Sequence, residues 1–306
     1  MKFAAGLDYA TIVSASEKVA WTVDGVFQDR RIDASKPIVP AAWVGTDGVP
    51  FLGDREQLVL NHCRAFSYVH LLGNYEEFIP LHLSDAMQDD WHGDRAHLRA
   101  LLRFGEEEMK HQQLFLRAEH VLEESCGHPF GRHFDAGKRR ATELTEAILA
   151  FPLLPRFLIL LALEWGTQRH YVDSIHDRGA GRGDPLYVDV LRAHWIEEAQ
   201  HARTDALEVD RLARGASASQ LSRVFDDVAG IGALVDGTIA GQVEQEIATL
   251  AAVHVRAFSD SQTAVLRDVL HRTMSTIIVG VSLGHPRFVR VARALSRDGA
   301  AKLGIV

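Results

Sequence analysis

Two segments of the sequence place a glutamate and a histidine three residues apart within a helical stripe of apolar residues. The pairs are Glu108 with His111 and Glu198 with His201. Residues three and four positions apart share one face of a helix, so both pairs are predicted to point inward. A buried carboxylate costs on the order of several kcal/mol unless a neighbouring charge compensates it. The folded chain must therefore place positive charge next to these two buried carboxylates. A bound metal ion is the simplest source of that charge.

The chain is predicted to be all-α. From about residue 55 onward the apolar residues recur with a helical period, and no segment has the alternation typical of a strand. Helices are predicted near 55–84, 94–125, 137–150, 153–178, 185–213, 218–258, 261–281 and 286–302.

A single domain is expected for residues 1–306, because a chain of this length can form one large core. Within it, residues 1–55 are predicted to be an irregular lead-in, punctuated by proline and glycine. Residues 56–213 are predicted to form a metal-binding bundle, and residues 214–306 to add further helices.

Two other helices offer single carboxylates, which a dinuclear site of this kind also requires. In the segment YEEF, Glu76 aligns with the apolar residues of its helix, whereas Glu77 falls on a more polar face and is the alternative ligand. Glu164 is the only acidic residue in LILLALEWGTQ. The order Glu, Glu-x-x-His, Glu, Glu-x-x-His predicts a site for two metals.

His194 lies one helical turn before Glu198 and extends the second motif to His-x-x-x-Glu-x-x-His. With this extension the sequence resembles the p-aminobenzoate N-oxygenase family, within the ferritin-like di-iron carboxylate proteins. The likeness covers roughly residues 30–210. It implies a ferritin-like four-helix bundle. Its implied ligands are Glu76 (or Glu77), Glu108, His111, Glu164, His194, Glu198 and His201, with His194 as a third imidazole.

The resemblance further implies two iron ions, with manganese possible, and dioxygen as co-substrate. The expected function is a non-haem di-iron oxygenase that N-oxygenates an arylamine or hydroxylates a small organic substrate, supplied with electrons by an external donor. The alternative is a ferritin-like iron or manganese storage protein or redox scaffold without organic substrate. A helical binding module without metal would leave the buried carboxylates unexplained. No catalytic residue is predicted outside the metal site.

The composition excludes several other classes of function. A formal net charge of −8 argues against nucleic-acid binding, which requires concentrated lysine and arginine. The longest apolar run, FLILLAL, is far shorter than the roughly 20 residues that span a bilayer. Two cysteines are too few for a disulfide framework. The prediction that remains is a cytoplasmic enzyme. It is also expected to be a homodimer.

Five polar residues beside the expected ligands receive separate predictions. Glu106, Glu107 and Glu197 are expected to point away from the site, in solvent or in salt bridges. Gln112 and Asp205 lie close to ligand positions and are candidates for orienting the ligands by hydrogen bonds.

Overall fold

The computed structural model describes residue 4 and residues 6–88, 92–134, 136–176, 183–254 and 256–305, with backbone alone for residues 136–141. Every regular element in these residues is helical, and the all-α prediction is confirmed.

Fifteen α-helices and two π-helical turns occur in the described chain. The helices are α1 (Tyr9–Ser16), α2 (Val23–Phe27), α3 (Ala41–Val44), α4 (Asp54–Glu76), α5 (Ile79–Gln88), α6 (Arg95–Cys126), α7 (Phe130–Phe134), α8 (Ala136–Leu149), α9 (Leu153–Tyr171), α10 (Pro185–Ala213), α11 (Ala218–His254), α12 (Asp260–Ser275), α13 (Val281–Leu283), α14 (Pro286–Leu295) and α15 (Arg297–Lys302). The π-helical turns are Val172–His176 and Thr276–Gly280.

The two helices that carry the Glu-x-x-His motifs begin at well-defined caps. The Asp94 side chain accepts a hydrogen bond from the Ala96 amide ahead of α6, and the Asp184 side chain accepts from the Leu186 amide ahead of α10. Pro185 occupies the first turn of α10, where its missing N–H is not needed. Helix α6 ends at Gly127 in the left-handed conformation, with φ of 64°. These caps fix where each helix begins and therefore which side chains face inward.

Helices α4, α6, α9 and α10 form the bundle expected from the sequence. Helix α4 packs against α6, α6 against α10, and α10 against α9 along most of its length. The long helix α11 packs against both α4 and α9. No described helix is both long enough and apolar enough to cross a membrane.

A buried ion pair joins α11 to α4. The Arg64 guanidinium donates a 3.0 Å hydrogen bond to Glu246 and another of 3.0 Å to the carbonyl of Leu270. The side chains of Arg64 and Glu246 are both fully buried. Burial raises the pKa of Glu246, and the neighbouring arginine opposes that shift. The helices after residue 214 are thus tied to the bundle by a charge pair as well as by apolar contacts.

Several predicted boundaries are wrong. The lead-in of residues 1–55 contains three short helices, which are too short to show an apolar period. The helix predicted for 55–84 is two helices, interrupted after Glu76. The helix predicted for 286–302 also breaks, because the Ser296 side chain caps a new helix by accepting from the Gly299 amide. The helix predicted for 153–178 becomes π-helical at Val172, and its last two residues lie outside the described residues.

Candidate metal centre

Four helices bring the predicted ligands together in the middle of the bundle. Helix α4 supplies its last residue, α6 and α9 supply residues near their middles, and α10 supplies three residues along one face. All of these side chains are buried, and none of the residues is more than 6% exposed: Glu76, Glu108, His111, Glu164, His194, Glu198 and His201.

Short distances connect donor atoms on different helices. The Nε2 atom of His194 lies 2.9 Å from Oε1 of Glu76 and 3.0 Å from Oε1 of Glu198. The Nδ1 atom of His111 lies 3.3 Å from the same Glu198 oxygen, and Nδ1 of His201 lies 2.9 Å from Oε1 of Glu108. Glu198 therefore occupies the centre of the cluster.

Two overlapping groups of residues have donor atoms close enough to share a metal ion. In each group all of the donor atoms lie within 4.8 Å of one another. The groups are Glu76, His111, His194 and Glu198, and Glu108, His111, Glu198 and His201.

Unpartnered donor atoms show that these residues fit metal ions. Buried polar atoms in proteins almost always have a hydrogen-bond partner, and a buried atom without one requires an explanation. Six of the seven predicted ligands each have one atom that lies near other polar atoms of the cluster but forms no hydrogen bond of acceptable geometry in the described structure: Glu76 Oε2, Glu108 Oε2, His111 Nδ1, Glu164 Oε2, Glu198 Oε1 and His201 Nδ1. Nitrogen and oxygen donors in this mixture suit iron or manganese.

The electrostatics of the cluster also favour a bound cation. Burial raises the pKa of Glu76 well above its usual value, and the nearby carboxylates of Glu108 and Glu198 raise it further. Burial likewise raises the pKa of Glu164 well above its usual value. For Glu198, burial is outweighed by the neighbouring imidazoles of His194 and His201, so its pKa is well below the usual value. Four carboxylates in one apolar interior repel each other, and divalent cations would remove that repulsion.

Glu107 and Glu197 form salt bridges as predicted, with Arg103 and Lys110, but both are buried and contact ligand histidines instead of pointing away from the site. Oε2 of Glu107, on α6, lies 3.1 Å from Nε2 of His201 on α10. Oε2 of Glu197, on α10, lies 3.0 Å from Nε2 of His111 on α6. Each helix thus holds the histidine of the other helix. Glu106, by contrast, is exposed and bonded to Arg103, as predicted.

These two contacts determine which nitrogen of each imidazole faces the centre. A carboxylate accepts hydrogen bonds, so Nε2 of His111 and Nε2 of His201 carry the hydrogen that each donates. The opposite nitrogen, Nδ1, faces the cluster in both residues. A carboxylate behind a histidine in this way fixes the ring orientation and makes it a stronger metal ligand.

The signal for Glu107 and Glu197 was present in the sequence. Both motifs read Glu-Glu-x-x-His, and the first glutamate of each doublet supports the histidine of the other helix. A single helix shows only that these residues lie about 100° away from the ligand stripe. That they face a second helix follows from the packing of α6 on α10.

The N-terminal segment covers the outer side of these carboxylates. The Ser16 hydroxyl donates a 2.5 Å hydrogen bond to Glu107, and the Lys110 ammonium lies 2.5 Å from Glu197. The indole ring of Trp21 lies parallel to the imidazole of His111, with ring centroids 6.0 Å apart, and Lys110 lies over the indole face. The segment predicted to be an irregular lead-in therefore contributes directly to the surroundings of the ligands.

The remaining candidates occupy different positions. Glu77 is exposed, whereas Glu76 is buried. Glu164 belongs to neither group of donor atoms, and the nearby charge of Glu198 adds to the effect of burial in raising its pKa. The Gln112 side chain donates a 2.9 Å hydrogen bond to the carbonyl of Glu76 and so supports the end of α4. Asp205 is fully buried, and neither of its carboxylate oxygens has a hydrogen-bond partner in the described structure.

A small apolar cavity adjoins the cluster on the side of α4 and α9. Its volume is about 40 Å³, which exceeds the space that one water molecule requires. The acidic ligands Glu76, Glu108, Glu164 and Glu198 form part of its wall. Most of the remaining wall is apolar, and its residues come from α4, α5, α9 and the second π-helical turn: Leu72, Ile79, Leu160, Leu163 and Ile278.

Comparisons with known proteins give a fold-level likeness only. No protein-family model and no curated protein matches the chain. Among solved structures, a variant of an R2-like ligand-binding oxidase with an aerobically reconstituted Mn/Fe cofactor is 13% identical. The match covers 90% of this chain and 94% of that one, with a TM-score of 0.48. A second structure of an R2-like ligand-binding oxidase, after a long soak, gives 13% identity, 88% and 91% coverage, and a TM-score of 0.43. Similarity at this level assigns neither an activity nor a metal.

The contrast between Glu76 and Glu77 leads to a first prediction. Glu76→Ala is expected to lower the affinity for metal by at least about tenfold, since it removes a buried oxygen donor within 2.9 Å of His194. Glu77→Ala is expected to leave the affinity unchanged, because that side chain is exposed. Competition with a chromophoric chelator measures both variants. The reverse order of affinities would show that Glu77 is the ligand.

Proposed function

We propose that the chain is a dioxygen-activating oxygenase with a dinuclear iron or manganese centre, which oxidises a small organic substrate. The observation that supports this proposal is the set of six unpartnered donor atoms beside an apolar cavity. When bound, the two metals would supply electrons to dioxygen. The residues of the chain would hold the metals in position, exclude water and shape the space in which the substrate reacts.

Seven residues would hold the two ions in this proposal. Glu198 belongs to both groups of donor atoms, as does His111, and its carboxylate would help to hold both metals. Glu197 would keep the imidazole of His111 oriented throughout turnover, and Glu107 would do the same for His201. The full set is Glu76, Glu108, His111, Glu164, His194, Glu198 and His201.

The cavity supports an oxygenase more than a storage protein. A storage protein requires a hydrophilic route for ions, whereas the wall on the side away from the ligands is mostly aliphatic. Tyr75 adds one polar group to this wall, and its buried hydroxyl has no hydrogen-bond partner among the described residues. That hydroxyl would orient a polar group of a substrate, because ligand pockets combine apolar walls with a few placed polar atoms.

The size of the cavity restricts how a substrate could enter. A volume of about 40 Å³ accommodates dioxygen, whereas organic ligands occupy pockets of roughly 300–1,000 Å³. Wall residues must therefore move before an arylamine can bind. Ile278 is the best candidate, because it lies on the π-helical turn Thr276–Gly280, and such turns occur frequently at functional sites.

Within this proposal, N-oxygenation of an arylamine is the favoured reaction, and C–H hydroxylation is the second. The support is His194, which corresponds to the third imidazole of the p-aminobenzoate N-oxygenases that the motif resembles. Its Nε2 atom lies close to carboxylate oxygens of α4 and α10, where it could complete the coordination of a metal. Electrons would come from an external donor.

Product analysis tests the proposed function. Protein loaded with iron(II), exposed to ¹⁸O₂ and supplied with a panel of arylamines should give a product that contains ¹⁸O. Elemental analysis should give about two metal ions per chain, because the ligand set suits a dinuclear site. Dioxygen consumption without any labelled organic product, together with accumulation of many irons per chain, would instead identify a storage protein.

His194 and His201 should respond differently to substitution. His194→Ala is expected to retain most of the iron but to lose oxygenation, because the other six ligands remain. His201→Ala is expected to lose iron, since Nδ1 of His201 is a donor whose orientation is fixed by Glu107. Iron content and single-turnover absorption spectra of both variants decide the question. If His194→Ala kept full metal loading, the parent spectrum and full turnover, His194 would be a buried core residue and not a metal ligand.

A further inference from the structure

A second, larger groove lies on the outside of the bundle, where α14 packs against α9, and residues of α9, α10 and α14 line it. Its volume is about 540 Å³, within the range of small-molecule binding sites. Small residues of α10 line part of it, namely Ala199, Ala202 and Ala206, and leave room above the helix surface. This groove is separate from the apolar cavity beside the metal ligands, and the two have no lining residue in common.

Three arginines line this groove without forming an ion pair to any acidic side chain in the described structure. Arg203 is on α10, and Arg287 and Arg290 are one turn apart on α14. The Arg203 guanidinium donates to the neutral side chain of Gln200. By contrast, Arg214, which follows the last residue of α10, is paired with Asp210 at 2.9 Å. Because the chain has a net charge of −8, three uncompensated arginines at one groove are a local excess of positive charge.

An aromatic side chain forms another part of the wall. The indole of Trp165 lines the groove and stacks on the imidazole of His285, with centroids 5.6 Å apart and planes 24° apart. Burial, with further contributions from nearby arginines that include Arg287 and Arg290, lowers the pKa of His285 to about 4. The imidazole is therefore neutral at pH 7 and adds no charge to the groove.

We propose that this groove binds a small ligand that combines a planar aromatic ring with a phosphate group. The guanidinium group is a planar fork that matches phosphate oxygens, and several arginines together suit the double charge of a phosphate monoester. The alanine methyl groups of α10, together with the 8% of Trp165 that remains accessible, provide apolar surface for the ring. The volume of the groove suits a nucleotide-sized molecule, and the alanines of α10 leave the space in which it would lie.

The ligand would lie beside helices that also carry the metal site. Ala199 follows Glu198, Ala202 follows His201, and Trp165 follows Glu164. These groove residues are about 100° around their helices from the ligands that precede them. Binding in the groove requires none of the metal ligands, so this proposal and the proposed function can fail independently.

Equilibrium dialysis of the full chain tests the proposal with two phosphate-bearing probes, flavin mononucleotide and adenosine monophosphate. At least one probe should bind saturably at one site per chain. Riboflavin or adenosine, which lack the phosphate, should bind at least about tenfold more weakly, since charge-assisted hydrogen bonds are the strongest available to the site. The double variant Arg287→Glu with Arg290→Glu should lose binding to a similar or greater extent.

A matched control separates the groove from general electrostatics. Arg293→Glu with Arg297→Glu makes the same change in net charge at two exposed positions outside the groove, and binding should be retained. Circular dichroism confirms that both double variants are folded. Saturable binding of neither probe, equal binding of the ligands that lack phosphate, or equal losses in both double variants would overturn the proposal.

Discussion

Glu198→Ala is expected to abolish binding of both metal ions. Oε1 of Glu198 lies 3.0 Å from His194 Nε2, 3.3 Å from His111 Nδ1 and 3.4 Å from His201 Nδ1, so one oxygen adjoins all three imidazoles. It also belongs to both groups of donor atoms. Removal of this carboxylate leaves neither group intact, and the remaining sites lack the negative charge that would hold a second cation in a low-dielectric interior.

Elemental analysis after reconstitution with excess iron(II) measures this effect. We expect about two ions per chain in the parent protein and a background level in Glu198→Ala. Glu106→Ala is the matched control, because Glu106 is an exposed glutamate on α6, two residues before Glu108. Its metal content should equal that of the parent protein. Retention of both ions by a folded Glu198→Ala protein would contradict the assignment of a shared carboxylate.

Arg64→Ala is expected to lower the free energy of unfolding by about 3–5 kcal/mol, the largest effect on stability that we predict. Arg64 and Glu246 are fully buried, and the substitution leaves the Glu246 carboxylate without its positive partner. The carbonyl of Leu270 also loses a donor. For a chain of this size the change corresponds to a decrease in Tm of roughly 5–8 °C.

Thermal unfolding with two further variants shows whether the loss arises from the stranded charge. The double variant Arg64→Met with Glu246→Leu should recover most of the stability, since apolar residues of similar size often replace a buried ion pair without net cost. Arg267→Ala breaks an exposed pair with Glu244 between α11 and α12 and should leave Tm unchanged. If the double variant were as unstable as Arg64→Ala, lost packing rather than unpaired charge would be the cause.

The sequence was sufficient for the features that depend on one helix at a time. The burial of Glu76 and the exposure of Glu77 follow from the apolar period of a single helix, and the structure agrees with both. The break after Glu76 was missed, because the apolar residues of α5 resume at once and hide the interruption.

Features that depend on how two helices meet could not be predicted. The burial of Glu107 and Glu197 arises because each lies where α6 and α10 touch, and a carboxylate one position from a ligand stripe is usually solvated when its helix is considered alone. The contribution of Trp21 was missed for a related reason. Its stacking on His111 joins residues 90 positions apart, and the short helices before residue 55 carry no periodic signal.

Helices α6 and α10 support each other's histidines in the same way, because Glu197 contacts His111 and Glu107 contacts His201. The two helices therefore have an approximate twofold relationship in their contacts. Superimposing one Glu-Glu-x-x-His motif on the other matches His194 with Phe104 and Asp205 with Phe115. Phe104 stacks on His201 at 4.1 Å, and Phe115 packs against His194 at 5.1 Å. The symmetry is therefore broken at the two positions where one half has a polar residue and the other an aromatic ring. The two metal positions would therefore have chemically different surroundings, because His194 and Asp205 on α10 have no polar counterpart on α6.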